Sequence, residues 1–163
     1  MVPVTKSAAL VSLLLLVLQS SLLMASNQHE INLILSLEEP PFGVVFEIVE
    51  GGNNDLDWAI PLTNGFIKQL RKRFPEIDIA VVSHGSEQFA LLKSEATERA
   101  EVHQAVQSLV ASDVPVHVCG THASWRHKVA DDFPDYVDVT PAGPTKIRDY
   151  QFMGYTLIKI DRE

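Results

Sequence analysis

Hydrophobic and polar positions alternate in blocks along this 163-residue chain, and the blocks change period from strand to helix and back. After Pro40-Pro41, residues 42–49 form a near-continuous apolar run that ends at Gly51-Gly52-Asn53-Asn54. Such a run reads as a strand buried on both faces, as in a parallel sheet. Asp55 is placed to cap the helix that follows, with Asp57 in its first turn. Leu62, Phe66, Ile67 and Leu70 supply a helical stripe, Pro61 kinks or delays it, and Arg71-Lys72-Arg73 suits its C-terminal end.

The same alternation continues downstream. Residues 77–83 read as a second strand ending at His84-Gly85, followed by a short helix over 86–93 and a longer one from Thr97. Val102, Val106, Leu109 and Val110 lie on one face of the latter. A third strand over 114–119 leads into a helical stretch over 121–130. Residues 136–139 are short and strand-like, Pro141-Ala142-Gly143-Pro144 turns the chain, 146–153 is helical, and 155–160 is a terminal strand. Alternating strands and helices call for a parallel sheet covered by helices on both sides. All strand C-termini then face one edge, where ligands bind in such folds.

The N-terminus breaks this pattern. Residues 1–25 hold one charged side chain, Lys6, ahead of an aliphatic stretch over 8–18, and Ala25-Ser26 offers a small-residue cleavage site. This reads as a secretory signal peptide, with residues 26–41 a polar lead and 42–163 the folded domain. If retained, residues 8–25 form a membrane anchor at the short end of the ~20 residues a span needs. Localisation is therefore expected to be periplasmic or secreted, with membrane contact only through a retained leader.

The formal charge is −8, and without the leader the balance is 12 basic to 21 acidic residues. This excludes nucleic acid, whose binding is dominated by neutralised phosphates, and docking on an anionic lipid surface.

Candidate chemistry centres on Cys119, the single cysteine. It closes the run Val114-Pro115-Val116-His117-Val118 and precedes Gly120-Thr121-His122, so the thiol stands at a strand end beside helix-opening N–H groups. That setting favours thiolate, the reactive form. A packing role is the alternative, because cysteine is among the most buried residue types. An exported chain with one cysteine has no internal disulfide, and an idle exposed thiol would be oxidised. His84, at the neighbouring strand end, and His122, three residues after the thiol, are the candidates to assist it. Asn53, Asn54, Gly85, Gly120, Thr121 and Gly143 occupy the loops at that edge and are the expected pocket residues. Trp125 reads either as a roof over the thiol or as a core aromatic.

His117, Cys119, His122 and His127 invite a metal reading. The spacing of His122 and His127 does not suit one helix face, however, and no second thiol is present, so no metal is assigned. Gly-x-Ser-x-Gly, Walker A and Gly-x-Gly-x-x-Gly motifs are absent, and no cofactor is expected.

Taken together, Val45-Phe46-Glu47-Ile48 with Asp55, Val81-Val82-Ser83-His84-Gly85, residues 114–120, Pro141-Ala142-Gly143 and Gly154-Tyr155-Thr156-Leu157-Ile158-Lys159 resemble the DsrE/DsrF-like (DsrE/TusD) family. The likeness covers about residues 42–160. It implies a three-layer α/β/α sandwich with a five-stranded, mainly parallel sheet, frequent homo- or hetero-oligomers, and a cysteine that carries sulfur as a persulfide. Cys119 matches that cysteine, and a sulfur donor or acceptor protein is the implied partner. The family's sulfur relays are cytoplasmic, whereas this chain reads as exported. A non-catalytic oligomeric binding or assembly module with a structural Cys119 is the rival expectation.

Overall fold

The computed structural model describes residues 25–161, so the leader expected over residues 1–25 lies outside them except for its last position. Five strands form one sheet: β1 (Gly43–Ile48), β2 (Ile79–Ser83), β3 (Val116–Cys119), β4 (Asp138–Thr140) and β5 (Tyr155–Ile160). Their order is β4-β3-β2-β1-β5, and every neighbouring pair is parallel. The α/β fold with a five-stranded parallel sheet is as the sequence pattern and the resemblance implied.

Among the described residues five α-helices complete the layers: α1 (Ala25–Leu35), α2 (Leu56–Arg73), α3 (Ala100–Val110), α4 (Gly120–Trp125) and α5 (Gly143–Phe152). The strand order explains their distribution. From β1 to β4 the chain steps in one direction, so right-handed crossovers put α2 and α3 on the same face. The return from β4 to β5 runs the other way and puts α5 on the opposite face. Alternation along β1 follows: Val44, Phe46 and Ile48 enter the large core, whereas Val45 joins Ile147 and Tyr150 of α5 in a smaller one.

The sequence pattern is modified at several points. The lead expected to be merely polar contains α1, whose Ile31 and Ile34 are buried in the large core with Ile158 and Ile160. Asp55 stands at the α2 N-cap position, but its carboxylate accepts the Gly52 N–H at 2.8 Å and the Trp58 indole N–H at 3.4 Å rather than capping a backbone N–H of the helix. Pro61 lies within α2, so it does not delay the helix. The segment over 86–93 is 3₁₀, Ser86–Leu91. The helix expected to run to residue 130 stops at Trp125. His127 adopts φ 55°, a left-handed conformation that cannot continue a right-handed helix. Trp125 is 72% exposed and so is not a core aromatic.

Candidate functional site at the C-terminal edge of the sheet

Four loops meet beyond the strand ends. The His84 N–H donates to the Ile48 carbonyl at 3.1 Å, and the Ser86 N–H to the Glu50 carbonyl at 2.8 Å, joining the β1 and β2 loops. The Thr121 N–H and hydroxyl both donate to the Pro141 carbonyl, at 3.0 and 2.8 Å, joining the β3 and β4 loops. Gly143 rests on His84, where an added Cβ would come within 2.5 Å of the histidine Cβ. The close approach of α5 to the β2 end therefore requires glycine.

Buried Glu87 locks the β1 and β2 ends together. One of its oxygens accepts the Ser83 hydroxyl at 2.7 Å and the Gly85 N–H at 2.9 Å, and the other accepts the Glu50 N–H at 2.7 Å. Three donors replace the water that the buried carboxylate has lost. Gly85 leaves room for this carboxylate and for the Glu50 backbone.

Cys119 ends β3 as the N-cap residue of α4, and it is 4% exposed. Its Sγ accepts the His122 backbone N–H at 3.4 Å. Its own N–H donates to Gln88 Oε1 at 2.7 Å. Because that bond requires an acceptor, the Gln88 amide can be oriented only one way. Its Nε2 is left buried and, among the described residues, without a hydrogen-bond partner. A buried unpaired donor within a side chain that holds the cysteine backbone is the most unusual polar feature of this edge.

Both candidate histidines lie at this edge, and their rings are engaged by groups other than the thiol. The Nε2–H of His84 donates to Glu47 Oε1 at 2.8 Å. This hydrogen bond holds the Glu47 carboxyl below its ordinary range, against the opposing effect of burial, with the charges of His84 and Lys159 assisting. The His122 Nδ1–H donates to the His84 carbonyl at 2.7 Å. Its ring meets Phe89 edge-on at 5.5 Å and Trp125 at 5.0 Å. His122 thus serves the sulfur through its backbone N–H, whereas the Thr121 N–H is taken by Pro141.

His117 faces α5. Its Nδ1–H donates to Asp138 at 2.6 Å, and its Nε2 accepts the Tyr150 hydroxyl at 2.7 Å. Burial, with the Tyr155 and Asp138 charges adding, pushes the Tyr150 hydroxyl up to about 12, so it remains a donor. His127 lies beyond the end of α4. Among the described residues no three His, Cys, Asp or Glu side chains converge on a possible metal position.

A cavity of about 200 Å³ opens beside Asn53 and Asn54 and is also lined by Phe89, Arg99, Arg126 and Lys128. The arginines were not legible as site residues in the sequence. Gly85, Gly120 and Gly143, also expected at the pocket, each lie in close contact with a neighbouring loop. Larger clefts, of about 670 and 350 Å³, lie beside Lys68 and Ser108 and beside His103 and Tyr136, away from the thiol. Among the described residues no helix is long and apolar enough to cross a membrane.

A family model described as the DsrE/DsrF-like family matches residues 17–160. No curated protein matches the chain significantly. Among solved structures, MTH1491 of Methanobacterium thermoautotrophicum, a protein of unknown function, is 22% identical with a TM-score of 0.61, covering 72% of this chain and 98% of its own. The ychN protein of E. coli is 16% identical with a TM-score of 0.51, over 72% and 98%. BT1422 of Bacteroides thetaiotaomicron, a conserved protein of unknown function, is 13% identical with a TM-score of 0.51, over 71% and 94%. At these identities the three structures establish likeness of fold.

Proposed function

Because this chain belongs to the DsrE/DsrF-like family, we propose that it is a sulfur carrier, with Cys119 bearing the transferred sulfur as a persulfide. The observation that carries this reading is the placement of Sγ at the start of α4, accepting the His122 N–H at 3.4 Å, while Gln88 Oε1 holds the backbone N–H of the same cysteine at 2.7 Å. In the transfer, the Cys119 thiolate attacks the outer sulfur of a donor persulfide. A new S–S bond forms, the donor's S–S bond breaks, and its electron pair leaves on the donor thiolate. Reversal toward a second thiol delivers the sulfur onward. Neither cofactor nor metal enters the step. The protein is further proposed to act after export and as a small oligomer, in keeping with the leader expected from the sequence over residues 1–25 and with the family likeness.

The test is loading with glutathione persulfide followed by intact-mass measurement. The wild-type protein is expected to gain one sulfur atom and Cys119→Ser none. Equal gain in both, or no gain in either, defeats the proposal. Burial favours a second reading: at 4% exposure Cys119 also suits a non-catalytic binding or assembly module. Alkylation of the thiol only after denaturation supports that module. N-terminal sequencing of the exported product and light scattering test the leader and the oligomer.

A further inference from the structure

The cavity beside Asn53 and Asn54 has a charge opposite to that of the whole chain. Arg99, Arg126 and Lys128 line it against one carboxylate, Glu95, in a protein of formal charge −8. Evenly scattered charge would not produce such a lining.

Arg126 is held in place without being neutralised. Its guanidinium donates to Asn53 Oδ1 and to Ser86 Oγ, each at 3.1 Å, and lies 4.2 Å over the Phe89 ring. All three partners are uncharged. Arg99 is anchored by Asp57 at 3.0 Å and by the Asn54 side chain. Lys128 has no ion-pair partner among the described residues. Fixing a guanidinium against neutral groups lowers the ordering cost of binding while preserving its charge.

We propose that this cavity binds a small oxyanion group, carboxylate, sulfonate or phosphate, held by Arg126 and Lys128 with Arg99 behind them. The planar guanidinium fork matches two oxygens of such a group, and the lysine adds a compact charge. At about 200 Å³ the volume lies below the ~300–1,000 Å³ of sites for drug-sized molecules, so it suits a compact anion or an anionic head group. The proposal goes beyond sulfur carriage and does not depend on it. Its link to the thiol is spatial: Phe89 lines the cavity and meets the His122 ring, and the His122 N–H reaches Sγ.

The test uses the Cys119→Ser chain, so failure of sulfur loading has no bearing on it. Inorganic phosphate, methanesulfonate and acetate are titrated separately at constant ionic strength, with backbone amide NMR shifts as the readout. Saturable shifts at residues 53, 54, 126 and 128 with at least one anion are expected, and the strongest binder identifies the class. Arg126→Gln should weaken binding about tenfold, as for loss of a charged hydrogen-bonding group. Lys128→Gln should weaken it several-fold, and Lys72→Gln, on α2 away from the cavity, should leave it unchanged. Three results each overturn the proposal: shifts that never saturate, shifts that chloride reproduces, and affinity unchanged in the Arg126→Gln/Lys128→Gln double variant with native circular dichroism.

Discussion

Gln88 and Cys119 are joined by a single buried hydrogen bond, from the cysteine N–H to Oε1 of the glutamine at 2.7 Å. The bond fixes the amide so that its other end, Nε2, has no partner among the described residues. Gln88→Met fills similar space but removes the acceptor, leaving the Cys119 N–H unpaired at the end of β3. The expected cost is ~1–3 kcal/mol, reduced by removal of the orphaned donor. Urea unfolding should show a lower midpoint with an unchanged slope. A midpoint equal to that of the wild type would mean that the bond contributes no more than the orphaned donor costs.

Glu87 accepts three donors while fully buried. Glu87→Gln keeps the shape but turns an NH₂ toward a group that is itself a donor. About 1–3 kcal/mol of stability should be lost. Thermal unfolding measures it, and the opposite result, an unchanged Tm, would show that the loop does not need the carboxylate.

Two glycines at the same edge should respond differently to alanine. At Gly85 an added Cβ would lie 2.5 Å from the Glu50 carbonyl oxygen and 2.6 Å from its nitrogen, and would collide with the Glu87 carboxylate. At Gly51 no atom lies within 4 Å. Gly85→Ala should cost ~1–3 kcal/mol or more, as overpacking against backbone does. Gly51→Ala should stay within about 0.5 kcal/mol of the wild type. Equal chemical-denaturation midpoints for the two variants would contradict this assignment.

Stability should fall as the solution is acidified, in two stages. Burial holds the His117 imidazole below its ordinary 6.5, more strongly than the Asp138 hydrogen bond raises it, with Lys146 adding to the lowering. Glu47 is held below its ordinary 4.5, first by the His84 hydrogen bond. Each group therefore binds more protons in the unfolded chain, so the unfolding free energy falls as the pH is lowered. The His117 contribution begins to go below about 6.5, and that of Glu47 below about 4.5. His117→Asn should flatten the upper stage and leave the lower one. Denaturation midpoints across pH check it, and an identical slope in wild type and variant above pH 4.5 would refute the His117 assignment.

Much of the architecture could be read directly because the relevant forces act over a few residues. The apolar run over 42–49 was legible as a buried strand because β1 is covered on both faces. The position of Cys119 at a strand end was legible from the switch between apolar strand and glycine. Asp55 misled because its carboxylate had a competing N–H, that of Gly52, within reach. The helix after Cys119 ended early because His127 turned left-handed, for which a histidine gives no clear sequence signal.

The chain by itself determined the alternation of strand and helix, the strand identities and the place of the thiol, since burial periodicity and turn chemistry are local properties. Tertiary structure alone decided which groups surround that thiol. Gln88 is polar yet fully buried, and only the meeting of β3 with the 3₁₀ segment gives its oxygen a donor 31 positions away. Arg126 and Asn53 are 73 positions apart, and parallel crossovers bring them to one cavity. Side-chain partnership depends on strand order and register, which no short window of sequence contains.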